Sequence, residues 1–130
     1  MDKRPELIKW AETKIGLPFI WGKTDCTTIV IEGISLYYNE NLSLVNSWLS
    51  LKDAIRAFKE YGCPGTILEN RGFFKVQKNF EQTGDVLIWK GKGYYLLGFV
   101  INGEVMVADE GKTLEMRPLN SFKDYLCYRR

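Results

Sequence analysis

The sequence contains no histidine. Every mechanism that draws an imidazole from this chain is therefore excluded, including Ser-His and Cys-His nucleophile pairs and all histidine-ligated metal sites. Cysteine is scarce as well. Cys26, Cys63 and Cys127 lie too far apart for the paired short spacings of a zinc ribbon or a thioredoxin-like motif. An odd number of cysteines fits reduced thiols better than a disulfide framework, and no metal and no cofactor are expected. Charge of one sign is missing too: 18 Lys and Arg stand against 16 Asp and Glu, a net charge of +2, which points to neither nucleic acid nor an anionic membrane. The longest apolar run, Tyr94 to Ile101, falls well short of the roughly 20 residues that span a bilayer. The amino-terminal Met1-Asp2-Lys3-Arg4-Pro5-Glu6 has none of the apolar character of a secretory signal, so synthesis in a cytosol is expected.

What remains is an ordinary globular composition of 130 residues, 45% hydrophobic and 26% charged, with room for one domain, residues 1–130. Leu7, Ile8, Ala11 and Ile15 fall at helical spacing, which predicts a helix over Arg4 to Ile15 with Asp2 as a cap and Pro5 in the first turn. A second helix is predicted from about Asp25 to Tyr38, because Cys26, Ile29, Val30, Gly33, Ile34 and Tyr37 form one stripe. After a loop from Asn39 to Ser47, a third helix is expected to start near Ser50 and Asp53 and to end at Gly62 and Pro64. From Gly72 onward the pattern changes to short β-rich runs: Phe73 to Gln77, Asp85 to Trp89, Tyr94 to Ile101, Glu104 to Ala108, Leu114 to Arg117 and Tyr125 to Tyr128. Asn102-Gly103 is the strongest hairpin signal, since both residues tolerate the positive φ of a type I′ turn. Helices first and strands second predict an α+β fold, with N-terminal helices packed on a mainly antiparallel C-terminal sheet.

The segment Gly16-Leu17-Pro18-Phe19-Ile20-Trp21-Gly22-Lys23-Thr24-Asp25-Cys26 sets a glycine-punctuated aromatic loop directly before a helix that Cys26 opens. Two readings of Cys26 stay open. Unpaired N–H groups and the positive end of the helix dipole favour a thiolate there, with the Asp25 carboxylate opposing it if it points toward the sulfur. Alternatively Asp25 is an N-cap and Cys26 a small buried apolar residue.

Pro18-Phe19-Ile20-Trp21-Gly22 followed by Asp25-Cys26 resembles the nucleophile segment of NlpC/P60 cysteine peptidases, a papain-like family. Gly84-Asp85-Val86-Leu87-Ile88 resembles the family's Gly-Asp strand opening, and Leu97-Gly98-Phe99-Val100-Ile101 through Ala108 resembles its catalytic strand and following hairpin. The likeness runs from Arg4 to about Ala108 and is closest to the short NlpC/P60-like domains of tailed phages and prophages. It implies a papain-like fold with Cys26 at the nucleophile position. It also implies that Leu96 holds the place of the family histidine, that Val107 corresponds to the third polar residue, and that Phe19 replaces a frequent tyrosine. Loss of general acid-base assistance alone is worth roughly 10² to 10⁴ in rate, so a scaffold without its mechanism is the expectation.

The resemblance thus implies a catalytically inactive structural or adaptor protein of a bacteriophage tail or baseplate. Such a protein would be carried in the virion, made in the host cytoplasm and partnered by other tail or baseplate proteins, with no nucleic acid, no membrane insertion, and homo-oligomerisation left open. One alternative is a cysteine peptidase or amidase acting on peptidoglycan through Cys26, its base supplied by Lys23, Tyr95 or a partner chain. Another is a peptide- or glycan-binding module using Trp21, Asp25 and Tyr95, with Trp89 and Tyr94 extending a stacking surface. Lys90-Gly91-Lys92-Gly93 lacks the Gly-Lys-Ser/Thr ending of a phosphate loop and reads as a turn. Lys3-Arg4 and Arg129-Arg130 read as solvated ends, and Asp85 as a holder of the strand opening.

Overall fold

The computed structural model describes residues 2–39, 64–91 and 94–130. Over these residues the chain is α+β, with three helices and a six-stranded antiparallel sheet. The helices are α1 (Arg4–Lys14), α2 (Cys26–Tyr38) and α3 (Pro64–Glu69). The strands are β1 (Phe74–Val76), β2 (Val86–Lys90), β3 (Tyr95–Ile101), β4 (Glu104–Val107), β5 (Glu115–Pro118) and β6 (Leu126–Arg129). Cys63, the expected helix from Ser50, and Lys92-Gly93 lie outside the described residues. No helix among the described residues is long and apolar enough to cross a membrane.

Helix α1 departs from the expectation of an Asp2 cap: its N-cap is Lys3, which makes no side-chain cap hydrogen bond, while the Asp2 carboxylate one residue earlier accepts the Arg4 backbone N–H at 3.0 Å; Pro5 occupies the first turn as expected, where a missing N–H costs nothing. Its end differs from the expectation. Ile15 leaves helical geometry with ψ 132°, so its side chain departs from the Leu7–Ala11 stripe and stands 40% exposed. Pro64 is the first residue of α3, where a missing N–H is tolerated as it is at Pro5; the expected helix end at Gly62 lies outside the described residues. Helix α2 buries the stripe that its periodicity predicts, Cys26, Ile29, Val30, Gly33 and Ile34, and packs on β3. Gly33 permits that close approach, since a Cβ there would stand 3.2 Å from the ring of Phe99. Trp10 Nε1 and Lys14 Nζ both reach Glu32 Oε2, at 3.1 and 3.0 Å, tying α1 to α2.

The strand order is β1-β6-β2-β3-β4-β5. Strands β2 to β5 form a consecutive meander, and Asn102 and Gly103 at the β3–β4 turn take φ 50° and 78°, the two positive values of a type I′ turn. The last strand breaks this succession: β6 enters between β1 and β2, so β1 touches the sheet only through the C-terminal segment. Alternation along the strands then defines two faces. Val86, Ile88, Leu97, Phe99, Ile101, Met106 and Tyr128 face the helices. Leu87, Val100, Val105, Val107 and Cys127 face the other way, covered by Leu119, Phe122 and Tyr125 from the β5–β6 connection.

The expectation that Arg129 is a solvated end is wrong. Its guanidinium bonds both oxygens of Asp85, at 2.9 and 3.0 Å, and Asp85 is fully buried. Asp85 also accepts the Gln82 N–H at 2.8 Å, which holds the opening of β2 as its sequence position suggests. The place of β6 between β1 and β2 is what carries Arg129 to this acid.

Candidate functional site

The loop before α2 is built by local hydrogen bonds. Asp25, with φ −74° and ψ 163°, is the N-cap of α2, and its carboxylate accepts from Gly22 N at 2.7 Å, Thr28 N at 3.0 Å and Thr28 Oγ1 at 2.8 Å. The Thr24 hydroxyl accepts from Ile20 N and donates to the Pro18 carbonyl, each at 2.7 Å. This web fixes the path of residues 18–25 and delivers Cys26 to the first position of α2. A tertiary clamp secures the other side: Gly16 N donates to Leu114 O, Leu114 N to Leu17 O and Phe19 N to Lys112 O, at 2.9–3.0 Å. The loop therefore runs antiparallel to residues 112–114, and Trp21 Nε1 donates to Glu110 Oε2 at 2.7 Å. Phe19 and Trp21 meet edge to face with ring centroids 4.8 Å apart.

Cys26 is 9% exposed. Burial pushes its thiol up to about 11, and the charges of Asp25 and Asp109 push the same way, while the Leu97 backbone N–H and the Thr27 hydroxyl oppose them. At neutral pH that leaves about one thiolate in ten thousand molecules, against a few per cent for a free thiol. Of the two readings of Cys26, the geometry selects the capped and buried one. The helix N-terminus is present, but desolvation outweighs it, because no cation faces the sulfur among the groups that act on it.

The structure brings some of the predicted residues together and separates others. Leu96, the second residue of β3, is half-buried; it pairs across the strands with Trp89 and packs against the helix-side core to which Cys26 belongs. Tyr95 packs against the same core. Val107 does not join them, because alternation along β4 turns it to the opposite face with Leu87 and Val105. The polar group from this region whose charge acts on Cys26 is Asp109, two positions on, and its carboxylate accepts from the Arg117 guanidinium at 2.6 Å. Tyr94 completes the cluster: its phenol is raised by burial and by the neighbouring Cys26, Glu110 and Asp109. Trp89 is on the far face against Phe122, so the four expected aromatics do not form one stacking surface. Asp25 is 1% exposed, which closes it to a ligand, and Lys23 is exposed on the loop. Asp109 was legible as the first polar residue after the β4 apolar run.

Chemically this cluster can hold a neutral thiol, donate a phenolic hydrogen bond and present two carboxylates. Among the described residues no three His, Cys, Asp or Glu side chains gather as a metal site.

Residues 1–126 match the family described as a domain of unknown function, DUF6950. The chain belongs to the DUF6950 family. No curated protein matches it. For this DUF6950 chain, the family description assigns no activity, and the chemistry of the Cys26 cluster is what speaks to function.

Proposed function

We propose that this DUF6950 chain is a papain-like module of NlpC/P60 type that lacks its catalytic base and serves as a structural or adaptor protein of a bacteriophage tail or baseplate. The observation that carries the reading is Cys26 itself. It opens α2 under an Asp25 cap and lies against the start of β3, in the order that such peptidases use. Yet its thiol is held neutral, and the resemblance assigns the imidazole position to Leu96, which cannot carry a proton. The retained loop clamp, hairpin and strand opening support a kept scaffold; the neutral sulfur supports lost turnover.

Two experiments test it. Co-expression with the tail and baseplate proteins of its own genome, followed by purification of the complex, should recover the chain in a defined assembly; a chain that stays monomeric and binds no tail component speaks against the adaptor role. For the frame, Leu96→His should bring an imidazole to Cys26 and speed alkylation of that thiol at pH 7 by at least about tenfold. An unchanged rate in a folded variant removes Leu96 from the base position.

A further inference from the structure

A second cleft lies on the face of the sheet turned away from α2 and Cys26. It is formed by the β1–β2 loop and the β5–β6 connection, which also carries the short 3₁₀ turn Leu119–Ser121. Its volume is about 540 Å³, inside the range of roughly 300–1,000 Å³ typical of ligand pockets. Lys78, Glu81, Asn120, Phe122, Lys123 and Tyr125 line it.

The charges there are unequal. Glu81 is the only carboxylate in the lining, and it already accepts a hydrogen bond from the Tyr125 hydroxyl. Lys78 lies 5.7 Å from the Tyr125 ring centroid and gives one of its three donors to the Lys123 carbonyl at 3.0 Å. Lys123 makes no ion pair among the described residues, and Asp124 beside it in the chain does not line the cleft. The lining thus carries two lysines against a single carboxylate, which already accepts the Tyr125 hydroxyl and feels the charge of Lys78. The adjoining wall is apolar: Phe122 is held edge to face against Trp89 at 4.9 Å, and Leu119 packs beside it. The geometry points to a binding site for a carboxylate attached to an apolar body. Lys78 and Lys123 take the carboxylate, Asn120 supplies a neutral amide, and Phe122 with Leu119 receives the apolar part. The site is independent of the Cys26 cluster, since the sheet separates them.

The test is an amide-resolved NMR titration of the full chain with three probes of one shape: phenylacetate, neutral phenylacetamide and cationic 2-phenylethylamine. Phenylacetate should give saturable shifts at residues 78–81 and 120–125 and bind at least about tenfold more tightly than the other two. Lys78→Gln with Lys123→Gln should weaken it by at least about tenfold, and Glu81→Gln should strengthen it, because a competing charge is removed. Both lysines are exposed, and unchanged shifts around Cys26 verify the fold of the double variant. A fourth probe, acetyl-Phe-Glu-amide, separates the sources: tighter binding than phenylacetate identifies an acidic peptide segment, weaker binding a free small acid. The proposal is overturned if the amide or the amine binds as well as phenylacetate, if the double lysine variant binds unchanged, or if no saturable shift occurs.

Discussion

Replacing Cys26 by alanine and following stability with pH probes the character of the site most directly. The thiol ionises near 9.0 when free of the fold and near 11 inside it, so the folded chain keeps a proton that the unfolded chain has released between those values. The folded state then binds more protons than the unfolded one, and stability must fall as pH rises through this window. The full gap corresponds to about 3 kcal/mol, and at pH 10.5 about 2 kcal/mol of it is already lost. Below pH 8 the contribution is intact. There Cys26→Ala should cost about 1–2 kcal/mol, since a small buried side chain is removed. In urea denaturation under reducing conditions, the difference between wild type and variant should shrink by about 2 kcal/mol from pH 8 to pH 10.5 and approach zero. Burial also pushes the Cys127 thiol and the Tyr38 phenol to ionise at higher pH, but those groups are common to both proteins and cancel in the comparison. A difference that stays constant across the window, or rapid alkylation of Cys26 below pH 7, would refute the claim that desolvation governs this sulfur.

Other expectations concern the frame. Arg129→Ala leaves the fully buried Asp85 carboxylate without its cation and should cost about 3 kcal/mol in chemical denaturation; adding Asp85→Asn should restore part of it, because the stranded charge disappears. Asp25→Ala removes the carboxylate that accepts from Gly22 N in the loop and from Thr28 N and Oγ1 in α2 and should cost about 2 kcal/mol, accompanied by faster hydrogen exchange at Gly22 and Thr28. Gly84→Ala should cost more than about 2 kcal/mol, because φ is +95° there and the added methyl would meet the Tyr37 ring at 2.4 Å. A neutral result by thermal or urea melting would contradict the packing of α2 over the start of β2.

Much of the architecture was readable before any coordinates. The stripe from Cys26 to Ile34 recurs at helical spacing, and it is buried as a stripe because one face of α2 rests on β3. Asn102-Gly103 announced its hairpin through backbone preference alone. The strand runs fell within a residue or so of their observed ends. The Cys26 loop and its cap were also legible, since Asp25 and the helix start are neighbours in the chain. What failed was contact between distant segments. The resemblance put Val107 at the third polar position, yet which face a strand residue takes depends on register, and the charge from this region that acts on Cys26 is that of Asp109. Trp89 and Tyr94 were grouped by type, although the sheet puts them on different sides of the molecule. Arg129 looked like a solvated end because nothing near it in sequence hints at Asp85.

By itself, then, the sequence determined the kinds of element, their order, the turn chemistry and the absence of any imidazole, because these follow from residue identity and from interactions a few positions apart. The insertion of β6 between β1 and β2, the burial of Asp85 and the neutrality of Cys26 were decided only by tertiary structure. Desolvation and long-range pairing sum over groups that the chain brings together from far apart, and no local pattern records that sum.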